Sequence, residues 1–152
     1  MTLFIIKFVV KKTIKKYFVD FDIIDSRYLF PWSAVANYIS IEFNKPFIAV
    51  AIGDDINTDI YQSDYRRNIT REILYNSSCV IAVSENIRNI IEKEFNLSNV
   101  VVIYDGIDFS SFYLKDFKRF SGTSKLTIGF VGYVAQEKGC DILLRLIQSS
   151  KD

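Results

Sequence analysis

Two uninterrupted apolar runs, FIAVAI at residues 47–52 and CVIAVS at 79–84, restrict the fold more than anything else in the chain. Each has the length of a strand, and neither alternates apolar with polar, which is the pattern of a strand covered on both faces. Helical patterns separate and flank them. PWSAVANYISIEFN (31–44) reads as a helix with Pro31 near its first turn, and another helix falls around 63–75. FDIIDS (21–26) reads as a further strand. Ser84 suits the N-cap of ENIRNIIEKEF, where its hydroxyl can accept an orphan amide hydrogen. VVVIYDGID (100–108) reads as a strand ending in a turn, with Gly106 expected at positive φ, and LTIGFVG with CDILLRLIQ gives one more strand and helix. Strand alternating with helix predicts an α/β fold, a Rossmann-like parallel sheet flanked by helices. Ligands in such sheets gather beyond the carboxyl ends of the strands, so the loops after Ile52, Tyr104 and Val131 carry the functional information.

The composition closes off several classes. With 49% apolar residues among 152, the chain can bury a core and is not disordered. Nineteen Lys and Arg against eighteen Asp and Glu give no global attraction to nucleic acid or lipid, so an electrostatic partner needs a local patch. Histidine is absent, which excludes an imidazole base and a histidine metal ligand. Cys79 and Cys140 are far apart, with no metal-ligand spacing and no bridge framework; they read as buried thiols in a reducing compartment, and no metal site is expected.

The first residues, MTLFIIKFVVKKTIKKYF, hold an apolar stretch too short to span a bilayer, and their charges follow it rather than precede it, unlike a signal peptide. Drawn as a helix, Leu3, Ile6, Val10, Ile14 and Tyr17 share one face, opposite Lys7, Lys11, Lys12, Lys15 and Lys16. A surface helix packed on the sheet and a basic helix over residues 3–18 touching anionic lipid both fit this pattern. The expected location is cytoplasmic, with the inner face of the membrane reached peripherally under the second reading.

Three segments together resemble the GT-B glycosyltransferases of family 4, the group 1 glycosyltransferases. FDIIDSRYLFPWSAVANYISIEFNKPFIAVAIGDDIN is similar to the later half of their N-terminal domain. CVIAVSENIRNIIEKEF…VVVIYDGIDFSSF is similar to the stretch that ends Asn-Gly-Val-Asp in the family, here Asp105-Gly106-Ile107-Asp108, with Phe112 at the matching offset. IGFVGYVAQEKGCDILL resembles the start of the donor-binding C-terminal domain, usually Phe-Val-Gly-Arg followed by Lys-Gly. The resemblance implies a partial GT-B chain. Residues 1–112 would be part of the acceptor-side Rossmann-like domain, 113–125 an interdomain linker, and 126–152 the start of the donor-binding domain. The family's acceptor-side glycine-rich loop would precede residue 1 and its donor-binding glutamates would follow residue 152, leaving an incomplete enzyme with little activity alone.

The resemblance also implies chemistry: hexosyl transfer, with retention, from a nucleotide-sugar donor to a glycan or lipid-linked acceptor in polysaccharide biosynthesis. The nucleotide-sugar is a substrate, and no cofactor is implied. The donor's diphosphate would meet Gly132, Tyr133, Lys138 and Gly139, although Tyr133 stands where the family has arginine and brings no positive charge. A plain solvated lysine at a helix start is the other reading of Lys138. On the acceptor side, Gly53, Asp54 and Asn57 would form the loop and Asp55 the catalytic carboxylate, while Ile52 replaces an arginine or histidine. Asp and Asn also favour turns and caps with no further role. Retention does not demand an enzyme histidine, since the departing phosphate can take the acceptor's proton.

Phe109, Phe112, Tyr113, Phe117 and Phe120, interleaved with Lys115, Lys118 and Arg119, fit a linker packed across two half-domains as well as a stacking surface, so nucleic acid is not an expected partner. Two other classes compete with an enzyme: a binding or assembly module whose fold a partner chain completes, and an unrelated flavodoxin-like or response-regulator-like domain, one closed sheet with its last strand paired to the first.

Overall fold

The computed structural model describes residues 2–17, 20–112 and 128–149. Two compact units divide the chain, Met1–Ile107 and Asp108–Asp152.

The first unit runs α1 (Thr2–Tyr17), β1 (Ile24–Arg27), an irregular turn (Leu29–Ser33), α2 (Ala34–Phe43), β2 (Phe47–Ala51), the one-turn helices α3 (Asp54–Asn57) and α4 (Asp59–Gln62), α5 (Asp64–Asn76), β3 (Cys79–Ala82), α6 (Glu85–Phe95) and β4 (Val100–Val102). The four strands form one parallel sheet in the order β1-β2-β3-β4, with Ser26 opposite Ala49, Ala49 opposite Val80, and Val80 opposite Val100. The expected Rossmann-like parallel arrangement is what the chain adopts.

Strictly sequential order has a steric consequence. Each parallel crossover is right-handed, so successive crossovers stepping in one direction lay their helices on one face. One cluster accordingly holds Phe47, Ala49, Ala51, Val80, Ala82 and Val100 of the sheet with Ala34 and Ala36 of α2, Ile73 and Leu74 of α5, and Ile87, Ile91 and Phe95 of α6. Small residues at 49, 51 and 82 let the helices come close. Polar contacts fix the α2–α5 register: Asn37 Nδ2 donates to Glu72 Oε1 at 3.1 Å, and Asn76 Nδ2 donates to Asn37 Oδ1 at 3.3 Å.

The opposite face differs from the sequence expectation of strands covered on both sides. Ile48 and Ile81 are half-buried, and Asp25, Arg27, Val101 and Ile103 are exposed. A trough of about 510 Å³ crosses this face between Asp25, Ile48, Ile81 and Ile103. The apolar runs record both faces of each strand, but the helices between them reach only one.

Three local expectations need correction. Pro31 lies in the turn ahead of α2, after a cis Phe30–Pro31 peptide, and the helix starts at Ala34. Gly106 is not among the described glycines at positive φ, which are Gly132 and Gly139, and a Cβ at 106 would meet nothing within 4 Å. Lys11, placed by spacing on the face away from the protein, pairs with Glu42 of α2 at 2.5 Å. Ser84 does cap α6, its Oγ accepting from the Ile87 amide at 3.3 Å.

In the second unit the described elements are short turns at Phe109–Ser111 and Gln136–Lys138 and the helix α7 (Cys140–Ser149). The expected linker 113–125 and the first residues of the expected last strand, Leu126 and Thr127, lie outside the described residues. Residues 128–131 form no strand: no described strand lies alongside to complete a ladder, and Val131 is fully exposed. No strand follows β4 among the described residues.

Candidate functional site

Chemistry-bearing side chains concentrate where β1 and β2 end. The chain leaves β1 through Tyr28, whose φ of 73° is costly for a bulky residue and is held by the contacts around it. Ser33 Oγ donates to the Tyr28 carbonyl at 3.2 Å and also contacts Ser26 Oγ at 3.0 Å, so two buried hydroxyls brace the exit of the strand.

Asp55 joins this exit to the loop after β2. Its side chain is 1% exposed. The carboxylate accepts from the Gly53 amide at 2.8 Å, the Ile52 amide at 3.1 and 3.2 Å, and the Leu29 amide, from the β1 side, at 3.0 Å. Three backbone donors on one carboxylate clasp two loops together. Asp54 and Asn57 lie in the same turn and are exposed, and Gly53 is half-exposed at its start.

A second cluster adjoins it. The Tyr28 hydroxyl donates to Asp59 Oδ2 at 3.2 Å, and Arg66 Nη1 donates to Asp59 Oδ1 at 2.7 Å. The Arg66 guanidinium also lies over the Phe30 ring, 5.5 Å from its centre, and Phe30 meets Tyr65 edge-on at 6.1 Å. Burial, with the negative charge of Asp59 next, pushes the Tyr28 phenol up to about 12. Tyr28, Asp59 and Arg66 did not stand out in the sequence. The position of Tyr28 directly after a strand was the available signal, whereas the partnership of Asp59 and Arg66 across two helices had none.

The donor-side candidates all lie in the second unit. Gly132 has φ 158° and Tyr133 is 84% exposed. Lys138, exposed, ends the turn Gln136–Lys138; Gly139 at φ 72° then reverses the chain into α7, its carbonyl accepting from the Ile142 and Leu143 amides, both at 3.1 Å. The turn is also held by Cys140 Sγ donating to the Ala135 carbonyl at 3.2 Å. Asp108 caps the turn at Phe109–Ser111: the Ser110 hydroxyl and amide donate to Oδ1 and hold its carboxyl below the usual range.

Among the described residues, no group of three or more His, Cys, Asp or Glu could hold a metal ion, and no helix is long and apolar enough to cross a membrane.

A search of curated proteins gives no match. The family model of Glycosyltransferase Family 4 matches residues 3–111, from α1 through the last described turn before residue 113 and so across the whole sheet and both clusters at its carboxyl edge. The chain belongs to Glycosyltransferase Family 4.

Proposed function

We propose that this chain serves sugar transfer from a nucleotide-sugar donor to a glycan or lipid-linked acceptor, with retention at the anomeric carbon. The family match over residues 3–111 carries the reading. In it the loop after β2 is the acceptor side. Asp55 acts there as a positioning residue, because a carboxylate enclosed by three backbone amides holds the loop rather than meeting an acceptor hydroxyl. Asp54 and Asn57, exposed in the same turn, are the groups that meet the acceptor. Lys138 meets the diphosphate of the donor, with Tyr133 offering a hydroxyl or a stacking face and Gly132 and Gly139 allowing the turn to approach closely.

Titration calorimetry of the chain with a panel of nucleoside diphosphates tests the donor half. Binding that weakens on Lys138→Ala is expected, and identical titrations for the two proteins remove Lys138 from the donor site. Transfer assays on glycan and lipid-linked acceptors, with the product's anomeric configuration read by NMR, test the reaction itself; an inverted product refutes retention.

One observation favours a second reading, an assembly module completed by a partner chain. The open sheet face from Asp25 to Ile103 is one that parallel sheets ordinarily cover with helices. A monodisperse monomer in light scattering counts against this reading.

A further inference from the structure

We propose that the outward face of α1 (Thr2–Tyr17) docks on an anionic lipid bilayer. Three side chains fix how this helix is rotated on the protein. Val10 and Ile14 are half-buried, Ile14 beside Ile39 of α2, and Lys11 reaches Glu42 at 2.5 Å. Its ammonium and the Glu42 carboxylate hold one another charged, Lys11 raised and Glu42 lowered, by their mutual hydrogen bond first.

That rotation turns Phe8 and Val9 outward, 65% and 54% exposed, with Lys12 and Lys15 exposed on the following turns. A helix seated by one apolar stripe on a globular core ordinarily shows solvent a polar back. Here the back carries an aromatic ring and a branched aliphatic side chain flanked by cations, the arrangement that places apolar groups among acyl chains and ammonium groups among lipid phosphates.

Charge says which surface fits. Residues 1–19 contain five lysines and no Asp or Glu, so the chain's near-neutral total of +1 conceals a local cationic patch and a net acidic remainder. Glu42 of α2 pairs with Lys11. An anionic bilayer attracts this end and repels the rest, which orients the protein with α1 against the membrane. A neutral protein surface would cover Phe8 and Val9 but offer no counter-charge to Lys12 and Lys15. The inference is independent of the transfer reading and survives its failure.

Vesicle flotation tests it on the whole chain, using phosphatidylcholine alone and phosphatidylcholine mixed with phosphatidylglycerol. The chain is expected to float with the mixed vesicles only and to be released by high salt. Lys12→Gln with Lys15→Gln should weaken partitioning about thirtyfold, at roughly fivefold per lysine. Phe8→Ser with Val9→Ser should weaken it as well. These side chains are exposed, so circular dichroism spectra matching the wild type are expected for both variants. Equal flotation with neutral and mixed vesicles overturns the proposal, as do absence of flotation and variants that partition like the wild type. Self-association that both variants abolish without any lipid effect also overturns it, assigning the face to a second copy.

Discussion

Replacing Asp55 by alanine gives the sharpest test of how the loops at the carboxyl edge are held. The substitution removes the acceptor of the Leu29, Ile52 and Gly53 amides at once. A buried amide left without a partner costs about 1–3 kcal/mol, and bonds to a charged acceptor lie toward the upper end. The Leu29 amide is in the buried part of the clasp, whereas Ile52 is 40% exposed and its amide can recover a water. Together these give a loss of about 3–5 kcal/mol, a large share of the roughly 5–15 kcal/mol that holds a typical domain. Asp55→Asn keeps one acceptor oxygen but points an NH2 group at a backbone donor, so about half that loss is expected. Urea unfolding measures both variants. The single tryptophan, Trp32, lies in the turn that begins at Leu29, so its fluorescence reports on this loop while circular dichroism follows the sheet and helices. The wild-type slope with denaturant should be retained. A loss under about 1 kcal/mol for Asp55→Ala would falsify the clasp. An asparagine variant of full stability and no transfer activity would do the same, returning Asp55 to a chemical role.

Four further outcomes follow from particular contacts. Tyr28 has a pKa raised from 10.0 to about 12, so the contribution of its neutral phenol is complete below pH 10 and is lost as pH climbs toward 12; Tyr28→Phe should flatten that alkaline decline in melting temperature. Glu42 is lowered, so its contribution is complete above the ordinary 4.5 and lost as pH falls through the depressed value; NMR titration of Lys11→Gln should show Glu42 returning to the ordinary carboxylate range. Thr70 is 1% exposed on α5 with an unpartnered Oγ1, so the nearly isosteric Thr70→Val should stabilise the chain by about 1 kcal/mol in chemical denaturation. Gly106→Ala, with open space at the Cβ position and no described positive φ, should leave stability unchanged within about 0.5 kcal/mol.

The strands and helices of the first unit were legible because their signals are local. β-branched runs gave β2 and β3, and the Ser84 hydroxyl marked the start of α6. What the sequence hid was relational. FIAVAI reads the same whether helices cover one face or two; the answer depends on the direction in which successive crossovers step. Lys11 looked solvated because helical spacing ranks it with its neighbouring lysines, and only the position of Glu42 on α2 turns it inward. At the site, the Gly53–Asn57 loop was singled out by its place after the strand ending at Ile52 and by the family resemblance. The reason for its carboxylate was not legible, since two of the amides that Asp55 binds adjoin it in sequence while the third, Leu29, is 26 residues earlier.

The same handedness bears on where a ligand can sit. Crevices in open parallel sheets arise where neighbouring crossovers step in opposite directions, because the two loops then part on either side of the sheet. Within β1-β2-β3-β4 every step runs the same way, so no such parting exists between these strands. The first place one can form is the free edge of β1, if a further strand pairs there with its helix on the open face. Tyr28, the Asp55 clasp, and the Asp59–Arg66 pair lie at the carboxyl end of that edge and of its neighbour β2. Hydrogen exchange distinguishes the two situations: an unpaired β1 edge should exchange its outward amides quickly, and a partner that completes the crevice should slow those amides and the Ile52–Asn57 loop together. Protection appearing instead at β4 would place the crevice at the other end of the sheet, away from both clusters.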